Sequence, residues 1–458
     1  MIKKTAKQAS LEGNLTRFIL FRLLYTARFY YPVLTILFLD YGLTLEQFGI
    51  LNLAWALSIV FAEVPSGALA DIFGRKRLLV VAASLMVVEM SLLAFVPLGA
   101  SPFLFVVFLI NRICSGFSEA AASGADEALA YDSLKALGRE GEWAALLEKS
   151  TRVVSVGFFS AMMLGAFVYD GSQLNAVLHY FNPQWQLSAQ LSIRMPVLLT
   201  LLSALVVLLT TLGFQEPVSD TVSPESAGSR LGAVREAWGQ ILAAGRWTLG
   251  HRFVLFVILA ALALDSVARQ FVVLASEYYR LIDIPVSWFG AVGAGMSLLG
   301  IVSARAARVM VNRLPPLHNF LLLSGLLLLS LAGLAFALPL WGVMFAAGCF
   351  VILGMVQFQT SFYLNQMVDS RQRATVLSFR GLALNLGLGL ASMLYTVWVG
   401  VIKSEGEPST AAEVWQGQVF LRVLDAFPVY FLALSLGLAL LAWGLRVPRA
   451  VFLRIPQR

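Results

Sequence analysis

Long apolar runs recur along the whole chain, and they limit its possible folds more than any other feature. Each run has about 20 residues, the length that a helix needs to cross the hydrocarbon core of a bilayer. A helix also satisfies its own backbone hydrogen bonds inside lipid. The sequence therefore predicts an all-α integral membrane protein with twelve transmembrane helices. The predicted spans are 17–39, 45–66, 78–98, 102–125, 150–170, 192–214, 253–276, 286–309, 317–337, 341–366, 373–401 and 426–446.

The 33 Lys and Arg residues are distributed unequally between the two sides of the predicted helices. Most lie on the same side as the N-terminus, whereas the opposite side holds Arg194, Arg280, Lys403 and Arg422. Cytoplasmic loops carry such an excess of basic residues, so both termini are expected in the cytoplasm. The net charge of +7 then reflects membrane topology, and nucleic acid is not expected as a partner.

Residues that usually carry enzymatic chemistry are few. Cys114 and Cys349 fall inside predicted helices, where a packing role is expected. The histidines, at positions 179, 251 and 318, all lie in or beside predicted loops. The sequence also contains no phosphate-binding loop and no spacing typical of metal ligands. We therefore expect a protein that is not an enzyme and needs neither a cofactor nor a metal.

A hydrophilic stretch at 215–252 divides the twelve spans into six and six. Its first part is rich in Pro, Ser and Gly, a flexible composition. Its second part places Leu231, Val234, Trp238, Ile241 and Leu242 on one helical face, which predicts an amphipathic helix on the inner membrane surface. The predicted organisation is an N-terminal six-helix bundle at 1–214, this linker, and a C-terminal six-helix bundle at 253–458.

The linking segment after the second span reads Gly67-Ala-Leu-Ala-Asp71-Ile-Phe-Gly74-Arg75-Lys76-Arg77. It resembles, at every defined position, the signature loop of the major facilitator superfamily of secondary transporters. The fourth span also resembles a family pattern in Arg112, Gly116 and Ala120. Three further stretches, starting at Glu63, Asp126 and Arg373, resemble bacterial drug-efflux members of that superfamily, the drug:proton antiporters. This resemblance implies two six-helix bundles and a place in the bacterial inner (plasma) membrane.

The resemblance also implies a gating role for four residues of the signature, which are Gly67, Asp71, Gly74 and Arg75. Asp71 could pair with Arg75 or with the N-terminal end of a neighbouring helix, and so hold one conformation of the two halves. The alternative is that these are only the basic charges that follow a helical hairpin. Asp126 lies near the inner surface and is expected to act as a further gate charge.

Ionisable residues inside the predicted spans mark a candidate site, because such groups are costly in lipid and face a cavity or a partner. The fourth span carries Arg112, Ser115, Glu119, Ser123 and Asp126 with the spacing of one helical face. This polar face either lines a cavity or packs against polar groups of a neighbouring helix.

Other spans carry single charges or pairs. Asp265 and Arg269 are four residues apart in the seventh span, which predicts a salt bridge. That pair either stays closed or exchanges partners during a transport cycle. Arg28 lies in the middle of the first span one turn from Tyr25, and Glu89 in the third span is a candidate partner for one of the arginines.

The resemblance implies that spans 1, 4, 7 and 10 line the transport cavity. Tyr25, Arg28 and Arg269, with Gln359 and Tyr363 of the tenth span, are then the candidate substrate residues. Glu119 or Asp265 is the candidate proton carrier, with Arg112 as its modulator and Glu89 as a further coupling residue. A carboxylate whose surroundings alternate between burial and a nearby arginine would load and release a proton.

Two transport functions agree with these observations. The first is proton-coupled export of small amphipathic or lipophilic compounds, such as drugs, by alternating access. The second is transport of an anionic metabolite, siderophore or lipid bound by Arg28, Arg112 and Arg269. A non-transporting receptor would have larger loops. The expected partners are a small-molecule substrate, protons and the lipid bilayer, and the protein is expected to be a monomer.

Overall fold

The computed structural model describes residues 2–217, 230–367, 370–405 and 412–444, and all regular structure in these ranges is helical. The sixteen α-helices are α1 Ile2–Thr26, α2 Leu34–Tyr41, α3 Leu45–Phe73, α4 Arg75–Phe95, α5 Pro102–Ala122, α6 Ala125–Ala136, α7 Trp143–Tyr169, α8 Gly171–Phe181, α9 Ala189–Leu212, α10 Arg230–Gly250, α11 Arg252–Leu281, α12 Phe289–Arg313, α13 Pro316–Ala335, α14 Val343–Met367, α15 Ser370–Ser404 and α16 Ala412–Gly444. The predicted all-α membrane fold is confirmed, with eleven stretches of the described residues long and apolar enough to cross a bilayer.

The first predicted span is not one continuous helix. Helix α1 ends at Thr26, a short 3₁₀ turn covers Tyr31–Val33, and α2 begins at Leu34. Pro32 explains the break, because proline lacks a backbone N–H and disfavours helical geometry in the residue before it. The break places Arg28 between the two helices rather than in the middle of one.

The last span begins earlier than predicted. Helix α16 starts at Ala412, and the candidate span in it runs from Trp415 to Leu441, whereas the sequence prediction began at 426. Arg422 and Asp425 lower the local hydropathy, so the sequence placed them in a loop. The structure places both charged residues inside the helix.

The helices form two sets, α1–α9 and α11–α16, which are called the first and second set below. They meet where α3 packs along α15 and where α7 packs along α12. Helix α10 bridges both sets, because it packs against α3 of the first set and against α11 and α15 of the second. Gly245 of α10 lies so close to the ring of Phe379 in α15 that an added Cβ would come within 3.0 Å of it.

The predicted linker at 215–252 therefore contains the expected helix, and its residues 218–229 lie outside the described ranges. This helix also packs against other helices, since its residues Gly245 and Thr248 are buried. Leu242 of the predicted apolar face is 63% exposed. Below, "linker end" means the end of the bundle that holds α10, and "distal end" means the opposite end, where α2 ends and α3 begins.

Candidate functional site

Helix α5 presents Glu119 to solvent-accessible space in the interior of the bundle, while Arg112 and Ser115 on the preceding turns are buried. The side chain of Glu119 has neither a hydrogen bond nor an ion pair within the part of the chain that the structure describes. It does lie within electrostatic range of Arg28, Arg112 and Arg269. Since Arg269 belongs to α11 and the other two to the first set, Glu119 faces the space between the two sets.

The expected continuous polar face does not extend to Asp126. Helix α5 ends at Ala122, and Gly124 has a φ of 73°, a conformation that starts the new helix α6 in a different direction. Glycine permits this left-handed geometry without steric cost. Asp126 consequently lies on α6, 3.6 Å from the guanidinium of Arg22.

Arg28 and Glu89 form an ion pair in the first set, with 2.5 Å between Nη1 and Oε1. The pair is closed off from solvent, since its side chains are 4% and 0% exposed. Arg28 also donates to the hydroxyl of Tyr30 at 3.2 Å, and its guanidinium lies 5.5 Å from the ring centre of Tyr25. The break between α1 and α2 turns Arg28 inward, and Glu89 neutralises it, as expected for a buried charge.

Arg112, the predicted modulator of Glu119, lies within electrostatic range of it but is held by other groups. Its Nη2 donates to the side-chain oxygen of Asn52 at 2.9 Å, and its guanidinium lies 5.2 Å from the ring centre of Trp55. In the described ranges it forms no ion pair with a carboxylate. Arg112 is therefore a buried cation held by an amide and by aromatic faces.

Asp265 and Arg269 form the predicted ion pair of α11, with 2.5 Å between Oδ2 and Nη2. Asp265 is buried completely, whereas the Arg269 side chain is 19% exposed and donates to Asn385 of α15 at 3.1 Å. Arg380 of α15 lies within electrostatic range of both. The sequence reasoning missed Arg380 and Asn385, although an arginine within the predicted eleventh span was a usable signal.

Gln359 and Tyr363, predicted as cavity residues, contact other helices of the second set in this structure. Both are buried on one face of α14. Tyr363 accepts a hydrogen bond from Asn319 of α13 at 2.5 Å, and Gln359 contacts the sulfur of Met310 in α12 at 3.8 Å. The shared face is real, but it packs against helices of the same set instead of the space between the sets.

The signature segment is mostly helical, since α3 continues to Phe73 and only Gly74 separates it from α4. Gly67 and Asp71 therefore lie on α3, and their side chains are outside the description. Arg75 pairs with Asp132 of α6. It also donates to the backbone oxygen of Ala128 at 2.9 Å.

The side chain of Glu216 caps the N-terminus of α4. Its carboxylate accepts hydrogen bonds from the backbone N–H of Arg75 at 2.9 Å and of Lys76 at 2.8 Å, which suits an anion at a helix N-terminus. Gly74 has a φ of 90°, and an added Cβ would come within 3.1 Å of that carboxylate. The backbone conformation favours glycine here, and a larger residue would displace the carboxylate of Glu216 by a few tenths of an ångström. Together with the pairing of Arg22 to Asp126 and Glu127, these contacts join helices of the first set.

The distal end is closed by polar contacts between the two sets. Asp40 of α2 accepts from Arg280 of α11 at 2.7 Å and, within the first set, from the hydroxyl of Tyr169 of α7 at 2.5 Å. Lys403 of α15 donates to Glu46 of α3 at 2.8 Å. These contacts were missed, because nothing in the sequence relates residues so far apart along the chain.

A further distal contact joins Asp170 to Ser287. Partial burial alone would raise the pKa of Asp170, but hydrogen bonds from Ser172, the backbone of Gln173 and Ser287 outweigh burial and hold the pKa below its ordinary value. A carboxylate with a lowered pKa stabilises the folded contact above its ordinary pKa, and that stability is lost as pH falls through the lowered value. This contact therefore persists at neutral and mildly acidic pH.

Comparison with protein families gives one match, in which the model described as Major Facilitator Superfamily covers residues 18–392. A comparison with curated proteins gives no match.

Solved structures resemble the chain over nearly its whole length. The nucleoside transporter NupG has a TM-score of 0.65 at 13% identity, covering 94% of this chain and 98% of that one. A bacterial homologue of the human lysosomal transporter Spinster, in an inward-facing and unoccupied conformation, has a TM-score of 0.66 at 15% identity, covering 98% of each chain. A D-xylose–proton symporter has a TM-score of 0.60 at 12% identity, covering 97% and 98%. At these identities the likeness concerns the fold.

Proposed function

This chain belongs to the Major Facilitator Superfamily and is a membrane transporter rather than an enzyme, and we propose that it exports small amphipathic or lipophilic compounds in exchange for protons. The observation that carries this proposal is Glu119, an exposed carboxylate without an ion-pair partner in the described ranges, facing the space between the two sets. Such a group can hold either a proton or a cationic substrate, which is what an antiporter requires.

The pairing of the arginines supports neutral or cationic substrates over anionic ones. Arg28 is neutralised by Glu89, and Arg269 by Asp265, so two of the three candidate anion ligands already have a carboxylate. Arg112 is the exception, because only Asn52 and aromatic rings hold it. Arg112 is therefore the observation that favours the second candidate, transport of an anionic metabolite, siderophore or lipid.

The linker end is proposed to be the cytoplasmic end, in the bacterial plasma membrane, because most Lys and Arg residues of the connecting segments lie there. The closed distal end then faces outward, and Glu119 is accessible from the cytoplasm. In this conformation Glu119 would release its proton inward and accept a substrate.

Alternating access then requires residues 1–214 and 253–458 to rock as two units about the space between them. We propose that five residues gate the opening and closing of the linker end during this motion. They are Gly67, Asp71, Gly74, Arg75 and Asp126. Asp265 is proposed to exchange its partner as the space opens and closes. Each monomer would transport independently.

Proton flux driven by substrates tests the function directly. Purified full-length protein in proteoliposomes with a pH-sensitive dye should move protons when cationic or neutral lipophilic compounds are added. Organic anions should give no response, because two of the three candidate arginines already have a carboxylate partner. A response to anions alone, lost in Arg112→Gln, would replace this proposal with the anion transporter.

Removing the distal ion pair should open the distal end. In Asp40→Asn, Arg280 loses a charge-assisted partner that is partly exposed, a loss of about 1–2 kcal/mol, or roughly a five- to thirtyfold shift in population. Spin labels at Gln173→Cys and Trp288→Cys, in a background without native cysteines, would report the shift as a longer distance. Glu148→Gln removes an exposed ion pair within α7 and is the control. An unchanged distance distribution in Asp40→Asn would show that this pair does not hold the end closed.

A further inference from the structure

Arg380 of α15 is a cation inside a membrane-spanning stretch, and it forms no ion pair in the described ranges. Its Nε is enclosed without a hydrogen-bond partner, whereas its two terminal nitrogens are not enclosed. The next residue, Gly381, faces the first set, because an added Cβ there would lie 3.8 Å from Oε1 of Glu63 in α3. Arg380 therefore lies on a turn of α15 that packs against the first set.

The ion pair of Asp265 and Arg269 does not neutralise Arg380. Arg380 lies within electrostatic range of both residues but outside ion-pair distance of Asp265. This part of the second set thus holds two guanidinium groups for one carboxylate. A cation without a partner inside the membrane is costly, and an anion that came to it would remove that cost.

The first set has the opposite imbalance on its facing side. Glu119 is exposed, and Glu63 lies within electrostatic range of it. Neither carboxylate forms an ion pair in the part of the chain that the structure describes. Arg112 is only 7% exposed and so does not face the open space. Arg269 lies within range of both Glu119 and Arg380, so these two unpaired charges border the same space.

The ionised groups around this space balance each other. Each lies within electrostatic range of at least one other member, and they are four carboxylates and four arginines, namely Glu63, Glu89, Glu119, Asp265, Arg28, Arg112, Arg269 and Arg380. A ligand without net charge preserves this balance. A cation or an anion alone adds a charge to a site that is shielded from water, where charges interact strongly.

We propose that the transport site takes amphipathic zwitterions, whose ammonium binds Glu119 and whose carboxylate binds the terminal nitrogens of Arg380. This inference rests on the proposed function, since it names the class of compound that would be exported. Both contacts are charge-assisted hydrogen bonds. Because the two residues belong to different sets, a substrate that reaches both favours the conformation in which the sets approach each other. A cation on Glu119 alone lacks this effect.

Matched probes separate the contributions of the two charges. The probes are ω-aminohexanoate, ω-aminooctanoate and ω-aminoundecanoate, each compared with its methyl ester, a cation, and its N-acetyl form, an anion. Isothermal titration calorimetry with the purified full-length protein in detergent measures their affinities. At the length that fits the site, the zwitterion should bind roughly tenfold more tightly than either derivative, since one hydrogen bond to a charged group is worth at least this factor.

Two variants should change the preference in opposite directions. Arg380→Gln should remove the preference for the zwitterion over the ester, and Glu119→Gln should remove the preference over the N-acetyl form. A merely structural role would weaken all three probes alike. Arg152→Gln is the matched control, because Arg152 is exposed on α7 and pairs with Glu148. This variant should keep both preferences.

A zwitterion that binds no more tightly than its ester at all three lengths would overturn the inference, and so would an unchanged preference in Arg380→Gln. Failure of the proposed function gives a different result. Cationic lipophiles that drive proton flux, without any preference for the zwitterion, would leave export standing and remove this substrate class. Selective binding of the zwitterion without proton flux in proteoliposomes would keep the site and remove the proton coupling.

Discussion

Replacing Glu119 with glutamine is expected to reduce substrate-driven proton movement to the level of empty liposomes. Glutamine keeps the shape and polarity of the side chain but cannot take up or release a proton. Glu119 is an exposed carboxylate between the two sets, whereas Glu89 and Asp265 are buried in ion pairs. The measurement is dye-reported proton flux in proteoliposomes, with an active substrate from the panel above.

Substrate exchange without a proton gradient separates coupling from folding. Glu119→Gln should still exchange labelled substrate for unlabelled substrate, because its binding space is intact. Glu148→Gln is the control, since Glu148 is exposed and, among the residues that the structure describes, pairs with Arg152 alone. Asp265→Asn should lower both proton flux and exchange, because it leaves Arg269 without its carboxylate. Full proton flux in Glu119→Gln would remove this residue from the coupling mechanism.

Replacing Glu89 with glutamine is expected to destabilise the protein by about 3–5 kcal/mol. Arg28 would then remain charged and buried without a carboxylate, since the amide oxygen of the glutamine and the hydroxyl of Tyr30 are neutral acceptors. Both members of the pair are almost fully closed off from water, so solvent cannot compensate for the lost charge. Unfolding of the purified protein in mixed micelles, followed by tryptophan fluorescence, would measure this loss.

The double variant with leucine at positions 28 and 89 separates two causes of this instability. One is the unpaired charge of Arg28, and the other is altered packing around Glu89. It removes both charges together, and a buried ion pair replaced by apolar residues is often neutral in stability. It should therefore recover most of the stability that Glu89→Gln loses. A double variant as unstable as the single one would show that packing around Glu89, rather than the charge of Arg28, sets the cost.

Patterns within short stretches of the sequence predicted the helices and one contact between residues close in sequence. The apolar runs located most of the helices, because lipid offers no partner for an unpaired backbone group. The spacing of Asp265 and Arg269 predicted their ion pair, because residues four apart on a helix are neighbours in any tertiary structure. Pro32, by contrast, was a local signal for the break in the first span that the reasoning passed over.

The partners of the other charges could not be read from the sequence. Arg75 binds Asp132, 57 residues away, and Glu216 caps the start of α4 from 141 residues away. Gln359 and Tyr363 shared a polar face as expected, but the packing of α13 and α12 decided that this face is buried. Which residues share a helical face depends on the nearby sequence alone. Which helix covers that face depends on how distant helices pack.

The sequence by itself determined that this chain is an all-helical membrane protein of a transporter family, because hydropathy, basic asymmetry and one signature are properties of short segments. Tertiary structure decided which charges are neutralised and which stay free. Arg28 and Glu89, 61 residues apart, cancel each other in the interior, while Glu119 remains exposed between the two sets. Electrostatic pairing depends on distances of a few ångströms between residues far apart in the chain, and only the packed helices set those distances.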